Sequence, residues 1–259
     1  MRKNLSRRSV RVRMRSRYSV THWLSQFSVT RTCRIDSIFP VYSSHMRTTQ
    51  TLIGAVFLLS GFAHAQDRAA VTLSFETHAA YFSREVASPT VLDPQVFVLD
   101  KSAQVERHWQ DIEHVAGVRN AHADDPAGGE IYNATGSPLG MTLGQWLHAG
   151  GSVTLAPRAD GREDVTVVLH GLKQGGRFSL FETHFDRKPF GFTPVDGAGT
   201  GNSFVADAAG SASVAMTAPA QMTHANAVLI VYHSDNLTHG SERGSMGETA
   251  HHQLIARLP

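Results

Sequence analysis

Short runs of alternating apolar and polar residues recur along most of this chain, and they restrict what it can become. Val71, Leu73 and Phe75 alternate with Thr72, Ser74 and Glu76, and Val165, Val167 and Leu169 alternate with Thr166, Val168 and His170. Further runs are Val153–Leu155, Phe178–Phe185, Ala212–Met216, Ala227–His233 and Leu254–Leu258. A period of two places one set of side chains on one face of an extended strand; a helix would scatter the same residues around its circumference. Gly, Asp and Pro separate the runs, as at Pro157, Asp160-Gly161 and Gly175-Gly176. The pattern predicts a mainly β protein, an antiparallel Greek-key-like sandwich or barrel with one or two short helices.

Two segments break the alternation. Ser102 is placed to cap a helix carrying Val105, Trp109, Ile112 and Ala116 on one face, with Gly117 as its stop. Thr142 and Gln145 form a capping-box pattern ahead of Leu143, Trp146 and Leu147. Between them, Asn120 to Gly129 reads as a polar loop. It is taken as the boundary between an N-terminal strand and helix portion, 66–129, and a β-sandwich domain, 130–259.

The front of the chain differs in kind. Residues 46–65 have the layout of a secretory signal peptide. Met46-Arg47 gives a positive start, Leu52 to Phe62 an apolar run, and Ala63-His64-Ala65 a cleavage site before Gln66. Residues 1–45 carry ten Lys/Arg against Asp36 alone and show no apolar periodicity, so they are expected to stay disordered. Such a stretch suits a nucleic-acid-binding arm or a transit peptide, but an upstream extension before a true start at Met46 fits better, because a signal sequence works at a chain's beginning. The expected address is the periplasm or the exterior.

Removing residues 1–65 changes the charge argument. That segment holds eleven of the 24 basic residues and one of the 22 acidic ones, so residues 66–259 keep 13 against 21, a net charge of −8. An acidic body argues against nucleic acid as a partner. The single cysteine, Cys33, also lies in the leader. Disulfides, thiolate catalysis, iron–sulfur clusters and blue-copper centres are therefore excluded from the remainder. No apolar run approaches the ~20 residues of a membrane span.

Histidine is the candidate chemistry. Twelve of the 15 histidines follow residue 65, and the C-terminal third gathers them beside carboxylates: Glu182, His184, His224, His233, Asp235, His239, Glu248, His251 and His252. Neutral imidazoles with carboxylates suit zinc and copper(II). His184 and His233 rank first as ligands, then His239 and His251, with Asp235 and Glu182 as carboxylate partners. His251 and His252 should face opposite ways on a strand.

Gly171-Leu172-Lys173-Gln174-Gly175, followed by a strand bearing His184-Phe185-Asp186, resembles the turn and His-bearing strand of Cu/Zn superoxide dismutases. The C-terminal order is similar too: an apolar strand ending in His233, then Asp235, a glycine-rich loop, Glu248-Thr249 and a closing strand. The resemblance covers about half of residues 66–259 and implies a Greek-key sandwich with copper ligands from the His184 region and His233. The chain departs from that family in having Glu182-Thr183-His184 where a paired H-x-H belongs. Phe190 to Asn202 also offers no bridging histidine or zinc loop, and the disulfide cysteines are absent. Dismutase activity is not expected.

Other motifs carry less. Gly197 to Gly201 is glycine-rich but lacks a strand–turn–helix setting for phosphate. Arg243 to Gly247 misses G-x-S-x-G by its first residue. Phe178, Phe181, Phe185, Phe190 and Phe192 are candidates either for core or for the walls of an apolar pocket. The reading is an exported protein holding copper or zinc near its C-terminal loops. The alternative is a non-catalytic ligand- or protein-binding or structural module without metal.

Overall fold

A computed structural model describes residues 68–259, so the expected upstream extension and the whole of the expected signal segment, 46–65, lie outside the described residues. The chain is mainly β, and the larger sheets are antiparallel. Its elements run in order β1 (Val71–Ser74), β2 (Glu76–Thr77), α1 (His78–Glu85), β3 (Leu92–Leu99), β4 (Glu106–Arg107), β5 (Glu113–His114), β6 (Val118–His122), β7 (Glu130–Tyr132), β8 (Pro138–Thr142) and α2 (Leu143–His148). The second half continues with β9 (Gly150–Pro157), β10 (Glu163–His170), β11 (Arg177–His184), β12 (Gly191–Pro194), β13 (Ser203–Val205), β14 (Ala212–Ala218), β15 (Asn226–His233) and β16 (Ala250–Arg257).

One sheet has the order β1-β9-β10-β14 and a second β12-β11-β15-β16-β2, with β13 also paired to β11. A third has the order β6-β3-β7-β8. None closes into a barrel among the described residues, and the arrangement is sandwich-like. The inner faces share one core. Val153, Leu155, Val165 and Val167 of the first sheet pack in the same cluster as Phe178, Leu180, Ile230 and Tyr232 of the second, joined by Val96 and Ile131 of the third. Each such side chain, fully buried, contributes ~1.5–3 kcal/mol of transfer free energy.

The expected boundary near residue 130 is not a break in these sheets. β1 pairs with β9, β2 with β16 and β3 with β7, so residues before 130 contribute strands to all three. The expected Asn120–Gly129 loop is shorter, since Asn120 to His122 finish β6.

Among the described residues two α-helices form, one of them where expected. α2 follows its capping box: Thr142 Oγ1 accepts from the Gln145 N–H at 3.3 Å, and Gln145 Oε1 accepts from the Thr142 N–H at 2.9 Å. The helix expected from Ser102 to Ala116 does not form. Ser102 donates its hydroxyl and its N–H to Asp100 Oδ1, closing a turn instead of capping. Val105 is exposed, so no buried stripe supports a helix. The segment is a short β4–β5 hairpin whose tip, Trp109–Asp111, is one 3-10 turn with Gln110 at φ 52° and Asp111 at φ 59°. The other helix, α1, starts where Thr77 Oγ1 accepts from the Ala80 N–H, and it covers the outer face of the second sheet through Tyr81, against Phe181, Leu229 and Ile255.

Candidate metal centre

The β11–β15 register fixes where the two first-ranked candidate ligands stand. Arg177 pairs with His233 and His184 with Asn226, without interruption between them. His233 and His184 therefore terminate opposite ends of the shared ladder, seven residues or roughly 23 Å apart at ~3.3 Å per residue. The odd spacing also places them on opposite faces. His184 and Glu182 share the inner face with Leu180; His233 shares the outer face with Leu229 and Val231.

His184 and Glu182 thus stand apart from the other candidates. His184 Nε2 lies 2.8 Å from Thr193 Oγ1 and Nδ1 lies 3.1 Å from Asn226 Nδ2, so both ring nitrogens have partners. Burial pushes the Glu182 carboxyl up to about 7, with Glu163 adding to it and Arg187 opposing. Burial, then Arg187, lowers the His184 imidazole. The two groups sit 3.6 Å apart, but burial drives each toward its uncharged form, so the contact is not a strong ion pair. His251 is also spoken for. It points inward opposite Tyr232, with Nδ1 3.0 Å from the Gln95 carbonyl and Nε2 3.2 Å from Ser234 Oγ. His252 faces the other way, opposite Val231, as strand alternation requires.

Three of the six candidates do converge: His233, Asp235 and His239 each offer a ligand atom within 4.8 Å of the others. The strongly apolar β15 delivers His233 to its last position, and the chain turns at once. Asp235 Oδ1 accepts from the Leu237 N–H at 3.1 Å, and Asn236 takes a left-handed φ of 59°. That turn returns His239 over His233, with ring centroids 5.0 Å apart and Asp235 Oδ2 3.0 Å from His239 Nε2. Asp235 and His239 keep 23% side-chain exposure, whereas His233 is 1% exposed, so the cluster opens to solvent on one side only.

The His233 ring is held in a definite way. Its Nε2 lies 2.8 Å from Ser179 Oγ, and Ser179 Oγ lies 2.8 Å from Ser203 Oγ. If Ser179 accepts from Nε2–H and donates to Ser203, the ring hydrogen of His233 and the hydroxyl hydrogen of Ser179 both find acceptors. The Nδ1 lone pair is then left over, and Nδ1 is indeed a buried nitrogen without a hydrogen-bond partner. The opposite direction would strand an N–H donor, the costlier outcome. Burial, reinforced by His239, depresses the His233 imidazole to about 4 despite Asp235, so the ring is neutral at ordinary pH. A neutral imidazole whose second nitrogen is anchored by a hydrogen bond is the form in which histidine ligates metals.

The neighbouring glycines make room for this loop. A Cβ at Gly244 would sit 3.2 Å from His239 Nε2, and a Cβ at Gly199 would sit 2.5 Å from the Gly240 carbonyl carbon. The Gly197–Gly201 segment therefore serves as packing for the ligand loop. Its N–H groups at 199, 200 and 201 already donate to the Asp196 carboxylate, which leaves them unavailable to phosphate.

The copper pairing implied by the dismutase resemblance, the His184 region with His233, is not assembled. A Ser179–His233–Asp235 hydrolase relay is not formed either, since Ser179 is 1% exposed and Asp235 bonds to His239. Ser179, Ser203 and Gly244 were not legible as site residues; only the cross-strand register brings them to His233 and His239. No family model, curated protein or solved structure matches the chain. Among the described residues, no helix is long and apolar enough to cross a membrane.

Proposed function

We propose that this is an exported protein that binds one zinc or copper(II) ion through His233, Asp235 and His239. The observation that carries the reading is the convergence of those three groups, with His233 Nδ1 buried and without a hydrogen-bond partner. Two nitrogens and one carboxylate oxygen suit either ion, and three protein ligands leave a position open toward the solvent side. The signal-like segment 46–65 supports export, and an acidic body without cysteine is compatible with an oxidising compartment. A dismutase-like origin of the sandwich belongs to the same reading, supported by the His-ended strand followed by an acidic, glycine-rich loop. Superoxide dismutation is not part of it.

Calorimetric titration of the purified protein with Zn²⁺ and with Cu²⁺ tests the proposal. One equivalent should bind, and the His233→Ala/His239→Ala double variant should lose it while His184→Ala keeps it. Equal uptake by the double variant would overturn the assignment. The alternative, a metal-free ligand-binding module, draws on a separate feature, a cavity beneath α1.

A further inference from the structure

Between α1 and the outer face of the second sheet lies a cavity of about 360 Å³, within the size range of small-molecule sites. Five aromatic rings, those of Tyr81, Phe82, Phe185, Phe190 and Phe192, stand in its walls. Three features set it apart from an incidental gap.

The first is a pair of unmet polar groups. His78 is 6% exposed and Thr183 4%, both line the cavity, and His78 Nδ1 and Thr183 Oγ1 are buried without hydrogen-bond partners. Such atoms are uncommon in folded proteins and costly to leave unpaired.

The second is a proton order that the neighbours dictate. Arg243 has no acceptor to offer, so its 3.1 Å contact makes His252 Nε2 the acceptor. Neutral His252 then carries its hydrogen on Nδ1, 3.4 Å from His78 Nε2. Neutral His78 in turn carries its hydrogen on Nδ1, the atom without a partner. Burial, aided by Arg243, holds the His78 imidazole down to about 3, which keeps it in this uncharged form.

The third is strain at the rim. Gln110 lines the cavity from the hairpin tip, where it and Asp111 both take left-handed φ. Non-glycine residues in that region are held against a local cost, and they concentrate at ligand clamps.

The lining also selects charge. Five rings with Glu85 at the wall would suggest an organic cation. However, the Arg243 guanidinium already lies 3.4 Å from the Phe192 centroid, and that of Arg257 lies 4.3 Å from Phe185. A cationic guest would meet rings whose attraction is in use. An anion would find no Lys or Arg in the lining and one carboxylate, Glu85.

We propose that this cavity binds a neutral one- or two-ring aromatic molecule bearing a hydroxyl or carbonyl oxygen, with Thr183 and His78 as its hydrogen-bonding partners. The rings provide stacking surface, and the oxygen completes the two buried polar groups. The site uses none of the residues of the His233, Asp235 and His239 cluster.

Calorimetry with 2-naphthol as the probe tests this, alongside naphthalene, 2-naphthoate and a naphthyl trimethylammonium salt. The protein should bind 2-naphthol saturably and at least fivefold more tightly than each of the other three. Thr183→Val, close in shape but without the hydroxyl, should weaken 2-naphthol about fivefold with its melting temperature unchanged or raised, a combination that a purely structural threonine would not give. Phe190→Ala, at an exposed position, should weaken naphthalene and 2-naphthol alike. Absence of 2-naphthol binding, equal affinity in Thr183→Val, or preference for the charged probes would overturn the proposal.

Discussion

Ser179 Oγ stands 2.8 Å from His233 Nε2, across the strand pair that carries both residues. This hydrogen bond orients the imidazole, so its removal should matter to a metal without removing a ligand. Ser179→Ala is expected to keep the fold, at a cost of ~1 kcal/mol, and to weaken zinc or copper binding about 10- to 100-fold. Competition with a chelator of known affinity measures the change; an affinity equal to that of the unaltered protein would contradict the orienting role.

His184 should behave in the opposite manner. Both its nitrogens have partners in Thr193 and Asn226, and it lies far from the metal cluster. His184→Ala should lower the stability measured by urea unfolding by about 1–3 kcal/mol, through the polar groups left unpaired. Its metal stoichiometry should not change.

Gly244 has a φ of 86°, and a Cβ there would crowd His239. Gly244→Ala should therefore weaken metal binding, with a smaller effect on the core, of which the new methyl would meet only Ala250, at 3.3 Å. Near-ultraviolet circular dichroism and a metal titration on the same sample separate the two effects.

Acid should destabilise the metal-free protein. Burial holds His78 at about 3 and His251 at about 4, and lowers His252 well below the ordinary 6.5. In the unfolded chain these groups gain protons near pH 6.5, while in the folded chain they do so only at lower pH. Their stabilising contribution is therefore complete above pH 6.5 and is lost as the pH falls toward 4. Scanning calorimetry in the presence of a chelator should show the melting temperature dropping between pH 7 and pH 5.

Glu182 contributes with the reverse sign. Its folded carboxyl titrates at about 7 against 4.5 when free. Folding thus favours the protonated form, and stability declines as the pH rises from 4.5 through 7. Glu182→Gln should be indistinguishable from the parent near pH 4.5 and more stable at pH 8, by on the order of 1–3 kcal/mol.

The strands were legible because alternation is local. Val165, Val167 and Leu169 announce β10 without reference to any other part of the chain. α2 was legible for the same reason, its cap and its partner lying three residues apart. The Ser102 segment misled because i, i+4 spacing is necessary for a helix but does not reveal that Asp100 will engage Ser102 first. α1 was missed because a strand-like run leads directly into it at Thr77. Within the site, Asp235 and His239 follow His233 closely enough to be grouped by eye. The separation of His184 from His233 depends on the direction and register of β11 against β15, which neither strand carries in its own residues. The contribution of Ser179 is hidden for the same reason.

Only three residues separate His239, in the cluster with His233 and Asp235, from Arg243, pressed on Phe192 at the aromatic cavity. Their Cα atoms lie no more than about 14 Å apart even if the segment is fully extended. The two sites are therefore moored to one short strap with little slack. Linkage is reciprocal for binding free energies, so metal affinity measured with and without 2-naphthol, and the converse pair, should shift by the same factor.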